Sequence, residues 1–185
     1  YTVTFSGTPV DFTINKLAVT VTPDSAQSKT YGAADPTFTY SVSPALVGTD
    51  SLTGALDRVA GDNVGTYAIT QGTVTTANNS NYTVTFSGTP VNFTINKLAV
   101  TVTADAKSKT YGSDDPELTY SVTSGALKSG DSLTGTLSRA TGDSVGTYAI
   151  NKGTLDNSNY TITFVGANLT ISKRAVTVTA DAKVS

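Results

Sequence analysis

The sequence predicts an all-β chain made of two tandem copies of a small antiparallel β-sandwich of the immunoglobulin-like kind. Three observations predict it. The segment Asn15-Lys16-Leu17-Ala18-Val19-Thr20-Val21-Thr22 returns at 96–103, and a third time as Ser172-Lys173-Arg174-Ala175-Val176-Thr177-Val178-Thr179. Lys16 to Lys97 spans 81 residues and Lys97 to Lys173 spans 76, a period that fits whole small domains in a row. Apolar residues alternate with Thr and Ser over short runs, the period of a half-buried strand. No window holds a 3.6-residue period for three turns, and Thr, Val, Tyr and Gly are poor helix formers. The alternative, a β-grasp-like α+β fold, needs a helix between about residues 123 and 143, and helix propensity opposes one there. That stretch carries Gly125, Gly130, Gly135 and Gly142.

The repeat sets the domain boundaries. Residues 1–16 copy 82–97 except for Asp11 in place of Asn92, so they read as the C-terminal hairpin of a preceding repeat. Repeat one is 17–97, repeat two is 98–173, and 174–185 read as the first strand of a following repeat. The chain has no Met and begins in mid-pattern, so it reads as a piece of something longer. In repeat two the expected strands are marked by Leu98, Val100 and Val102; by Leu118, Tyr120 and Val122; by Leu133 and Leu137; by Tyr148 and Ile150, with Leu155 ending the extension; by Tyr160, Ile162 and Phe164; and by Leu169 and Ile171. A short further pairing is expected near Thr110. Repeat one matches through Leu17, Val19 and Val21; Phe38, Tyr40 and Val42; Leu52 and Leu56; Tyr67 and Ile69; Tyr82, Val84 and Phe86; and Phe93 and Ile95. The copies differ in length at turns, where chains absorb insertions.

Composition narrows the function. The hydrophobic fraction of 38% is that of a globular protein once glycine is added, while charged residues make up only 14%. The net charge is −2 with no basic run, so nucleic-acid binding has no electrostatic footprint. No apolar run approaches the length of a membrane span. Cys and His are absent, which removes thiolate and imidazole chemistry and disulfides. Paired carboxylates remain as the hydrolytic option. Active sites are seldom duplicated in every repeat, however, and no insertion here forms a cleft. The expectation is a non-enzymatic chain.

Four features invite a chemical role. Asp62-Asn63-Val64-Gly65-Thr66-Tyr67 and Asp143-Ser144-Val145-Gly146-Thr147-Tyr148 precede strands in the manner of a tyrosine corner, a structural device in which the Tyr hydroxyl bonds nearby backbone. A β-branched residue at Gly146 would then be unable to hold a positive φ. Tyr31-Gly32 and Tyr111-Gly112, each followed by Asp-Pro, make the most distinctive loop. Tyr31 and Tyr111 are candidate ligand-binding residues, since a Tyr beside carboxylates can stack on a sugar face. The plainer reading has the Tyr plug the end of the sandwich and the Gly supply φ > 0. The recurring Asp24, Asp105 and Asp181 at the joins raise calcium as a cofactor, but calcium needs six to eight oxygens and each join carries a Lys instead. Turn chemistry accounts for those Asp residues, and no cofactor is expected. Four Asn-x-Thr sequons, at Asn81, Asn92, Asn159 and Asn168, fit chance in a Thr-rich chain.

The ordered set Lys-Thr-Tyr-Gly-x-x-Asp-Pro (29–36, 109–116), Gly-Asp-x-x-Gly-Thr-Tyr-Ala-Ile (61–69, 142–150) and Asn-Tyr-Thr (81–83, 159–161) resembles the MBG-type tandem repeats with the Tyr-Gly signature, found in large bacterial surface adhesins. The resemblance covers the whole chain and implies an extracellular, cell-surface protein. Two functions follow as expectations. One is a stalk or filament segment whose short joins hold a binding head away from the cell. The other is that each repeat is itself an adhesion module for glycans or proteins. The expected partners are neighbouring repeats of the same or identical chains, and host or cell-surface glycans or proteins. Val3, Phe5, Phe12 and Ile14 would expose an apolar face, so both chain ends are expected to pack head-to-tail on neighbours.

Overall fold

The computed structural model describes residues 1–4 and 6–183. It divides into two compact units, 1–29 with 34–95, and 30–33 with 96–185. Repeat one carries β1 (Leu17–Pro23), β2 (Ser28–Thr30), β3 (Tyr40–Ser43), β4 (Asp57–Arg58), β5 (Gly65–Thr70), β6 (Tyr82–Phe86) and β7 (Asn92–Asn96). Repeat two carries β8 (Leu98–Ala104), β9 (Lys107–Thr110), β10 (Tyr120–Ser124), β11 (Ser138–Arg139), β12 (Gly146–Asn151), β13 (Tyr160–Val165) and β14 (Ala167–Ser172). Each repeat forms a three-stranded and a four-stranded sheet, in the orders β3-β1-β6 and β2-β7-β5-β4, then β10-β8-β13 and β11-β12-β14-β9. The fold is all-β and sandwich-like, as the alternation predicts. The β-grasp alternative fails. The segment 123–143 holds only the end of β10, an isolated bridge and β11, and among the described residues the sole helical turn is a 3-10 turn at Thr76–Asn78.

The sheets are mixed rather than antiparallel. β1 runs parallel to β6, with Val19 opposite Val84, and β8 runs parallel to β13, with Val100 opposite Ile162. β9 also runs parallel to β14. A parallel neighbour requires a crossover. The chain supplies one by leaving the three-stranded sheet after β3, passing through β4 and β5 of the other sheet, and returning as β6. The step from β6 to β7 changes sheets again, so 82–97 is not a hairpin, and neither is its copy 1–16. The described part of 1–16 and residues 174–183 hold no strand, with Val3, Val10, Phe12 and Ile14 between 86% and 94% exposed. In the repeats, the strands equivalent to these ends pair with strands of the same repeat. Phe5 lies outside the described residues.

The third expected strand is where alternation misleads. Leu52, Leu56 and Leu133 do point inward and are buried, and Leu137 packs on the core. Yet the backbone around them forms no ladder, only a bridge between Thr134 and Asp156. Gly54 (φ +110°) and Gly135 (φ +84°) turn the chain here, and a Cβ on either would lie 2.4 Å from Thr73 O or 2.2 Å from Thr154 O. The glycines let two backbones approach too closely for a regular strand, and pairing shifts to β4 and β11.

Alternation buries the rest of the core. In repeat one Val19, Val21, Ile69, Val74, Val84, Phe93 and Ile95 are each at most 8% exposed. In repeat two Val102, Leu133 and Leu155 cluster with Tyr120, Val122 and Ile162, and Ala104, Ile150 and Leu169 with Leu118 and Tyr148. The buried Asn79 closes repeat one. Its Oδ1 accepts from Thr53 N at 2.7 Å, and its Nδ2 donates to Thr53 O at 3.0 Å and Thr75 O at 2.8 Å.

Candidate functional site

Both sequence signatures meet around the Tyr-Gly loop. Asp35 and Asp115, which end the loop before Pro, each accept from a lysine and an arginine. Lys29 Nζ reaches Asp35 Oδ1 at 2.6 Å, and Arg58 Nε reaches Asp35 Oδ2 at 2.6 Å. Lys109 and Arg139 hold Asp115 at the same 2.6 Å. The guanidinium of Arg58 also donates to Val59 O and Gly61 O, and lies 5.1 Å from the centroid of Tyr67. Arg139 repeats this with Ala140 O, Gly142 O and Tyr148, at 5.4 Å. One arginine thus ties the Tyr-Gly loop to the Gly-Asp turn. Composition and motif reading missed it. The available signal was position: two of the chain's three arginines stand three residues before Gly61 and Gly142.

The clamp sets the carboxylates' acidity. Arg139, then Lys109, holds Asp115 down at about 2, and Arg58, with Lys29, likewise holds Asp35 below its ordinary value. A depressed carboxylate adds stability above its unfolded value of 3.8, and that stability is lost as pH falls through 3.8 towards 2. The second unit is therefore expected to melt more easily at pH 2 than at pH 5. Asp115→Asn should be less stable at neutral pH and lose less on acidification. Urea melts across that range check this, and an unchanged acid slope in Asp115→Asn would refute the clamp as its origin. Asp115 is partly exposed, so added salt weakens the effect.

The tyrosine corners are present. Tyr67 Oη donates to Asn63 O and Tyr148 Oη to Ser144 O, both at 2.7 Å. Gly146 has the expected positive φ, at +159°, but that is nearly extended and a Cβ there meets nothing closer than 3.9 Å. The crowded glycine is Gly142, which sequence reading did not single out.

The two candidate tyrosines part company. Tyr111 is 51% exposed, whereas Tyr31 is 6% exposed. Residues 30–33 belong to the second compact unit. There Tyr31 Oη donates to Asp131 Oδ2 at 2.9 Å, and its ring meets Tyr160 edge-on at 5.6 Å. Lys128 Nζ stands 5.2 Å from the centre of the Tyr31 ring. Asp131 Oδ2 also accepts from Tyr160 Oη at 2.5 Å, and Tyr160 Oη accepts from Lys128 N at 2.8 Å. The hydroxyls of Tyr160 and Tyr31 hold the Asp131 carboxyl below its ordinary pKa, while burial, with the Asp131 carboxylate beside it, pushes the pKa of the Tyr160 phenol up. Tyr31 is thus a packed, hydrogen-bonded plug, the plainer of its two readings.

Among the described residues no three carboxylates converge on one point. Asp105 instead accepts from the Thr119 hydroxyl at 2.6 Å, a partner 14 residues on rather than in its own turn.

The profile of the MBG domain (YGX type) matches residues 19–94 and, a second time, 100–170. No curated protein matches the chain.

Proposed function

Since the chain belongs to the MBG domain family of the YGX type, in two tandem copies, we propose that it is a repeat region of a bacterial surface protein, acting as a non-enzymatic stalk or filament segment. The observation that carries the reading is where the signature side chains go. Tyr31 is enclosed, and both Asp-Pro carboxylates are held by a lysine and an arginine. These side chains are taken up by packing and ion pairing, which supports a scaffold role for the repeats. No helix among the described residues is long and apolar enough to cross a membrane.

The second reading, a glycan- or protein-binding module in each repeat, draws on the exposure of Tyr111 alone. A glycan array probed with the intact chain separates the two. The stalk reading expects no saturable binding and no effect of Tyr111→Ala. Specific, saturable binding abolished by that substitution would overturn it.

A further inference from the structure

The second unit is assembled from two pieces of sequence, 30–33 and 96–185. The short piece belongs by sequence to repeat one and lies between Lys29 and Asp35, which pair at 2.6 Å. That ion pair closes the ends of the loop, and a turn shapes its tip. Ala33 N donates to Thr30 O at 3.1 Å, and Gly32 takes a φ of +83°, the value the third residue of a type II turn requires. Tyr31 N donates to Asn96 O at 2.8 Å, at the end of β7. Of the four residues Tyr31 alone is buried.

We propose that Tyr31 is a coupling latch: a side chain of repeat one that completes the fold of repeat two, so that the two repeats unfold together. Repeat-two residues meet both its ring and its hydroxyl. Tyr160 packs edge-on at 5.6 Å, Lys128 Nζ lies 5.2 Å from the ring centroid, and Asp131 Oδ2 accepts from the hydroxyl at 2.9 Å. A hydrogen bond to an ionised carboxylate is among the stronger kinds. The pairing of Tyr160 with Asp131 and with Lys128 N is native to the repeat, because Tyr82 makes it with Asp50 and Val47 N in repeat one. Tyr31 adds a second hydroxyl and a second ring to that pairing, and a carboxylate oxygen has the lone pairs for both. Its contribution to the second unit is therefore separable, and it is lost when the loop unfolds with repeat one. Such coupling is reciprocal, so each repeat stabilises the other by the same amount. In a tandem array this is the nearest-neighbour term that adds to the stability of each repeat alone. It serves a stalk and a row of binding modules alike, so it does not rest on the stalk reading.

The test is amide hydrogen exchange, followed strand by strand in the full chain. Tyr31→Ala changes a residue of repeat one. Exchange is nevertheless expected to quicken at least about tenfold in β8, β10 and β13, the sheet that holds Tyr160, and to stay within about twofold in β1, β5 and β7. Tyr31→Phe keeps the ring and loses the hydroxyl. It should have a smaller effect, and no further effect in a chain that already carries Asp131→Ala. Joint unfolding is read from Phe93→Ala, which empties a fully buried site of the first unit. In urea that unfolds the first unit of this variant, β13 should exchange as fast as in Tyr31→Ala at the same urea. Adding Tyr31→Ala to Phe93→Ala should quicken it no further. Tyr31→Phe takes the place of Tyr31→Ala if circular dichroism shows the alanine variant unfolded. Exchange that quickens in repeat one instead, or in neither repeat, would overturn the proposal. So would a Tyr31→Phe effect that persists without Asp131, or a second unit indifferent to unfolding of the first.

Discussion

Replacing Gly142 with valine is expected to cost the second unit roughly 3 kcal/mol, from positive-φ strain and a lost hydrogen bond. Gly142 sits at φ +139°, and a Cβ there would lie 2.3 Å from Tyr148 Cε1. The ring must swing away, and its hydroxyl then loses Ser144 O. Arg139 stacks on that ring and donates to Gly142 O at 2.7 Å, so the clamp on Asp115 loosens as well. Gly146→Val is the control. It imposes a valine on a nearly extended φ with no neighbour closer than 3.9 Å, and should cost clearly less. Urea unfolding of both variants decides the order. If Gly146→Val is the more damaging, the tyrosine corner is held by its own turn and not by the glycine beneath the ring.

The contrast shows what a sequence exposes. Alternation identifies inward residues wherever a side chain must be dry, so Val100, Val102, Tyr160, Leu169 and Ile171 are legible, and even Leu133 is read as buried. Whether those residues belong to a ladder is decided by backbone approach, as at Gly135 against Thr154, and a hydropathy pattern carries no trace of that. Strand direction is equally silent. Val100 packs the same way whether its neighbour Ile162 runs parallel or antiparallel, which is why alternation predicts antiparallel sheets where the fold has mixed ones. At the candidate site the Tyr-Gly loop announces itself by repetition. The partner that gives it meaning, Arg58 or Arg139, is more than twenty residues away in sequence and looks like an ordinary surface charge until the fold closes. The different fates of Tyr31 and Tyr111 lie beyond any reading of one repeat, because the same exposed loop has its tyrosine buried in one instance and exposed in the other.

Phe93→Ala should destabilise the first unit by about 3–5 kcal/mol, the range for emptying a buried aromatic site. Phe93 is fully buried on β7, opposite Tyr67 of β5. Its ring meets Phe38 edge-on at 5.2 Å and 82°, and the Arg58 guanidinium lies 5.5 Å from its centroid. Truncation therefore removes core volume, an aromatic pair and the apolar floor beneath the arginine clamp. Repeat two solves the same position with a smaller pair, Leu169 and Leu118. This gives a sharper test than alanine. Phe93→Leu alone leaves Phe38 facing a gap and should cost roughly 1–2 kcal/mol, as other losses of well-fitted core volume do. Adding Phe38→Leu imports the pair of the second repeat, and contacting core residues are expected to couple by about 0.5 kcal/mol or more. The double variant should then be more stable than the sum of the two single costs. Hydrogen exchange should place the losses in β5 and β7 first. Strict additivity in the double-mutant cycle would mean that the two rings act as separate packing units, and a cost below about 1 kcal/mol for Phe93→Ala would mean that the site collapses to fill itself.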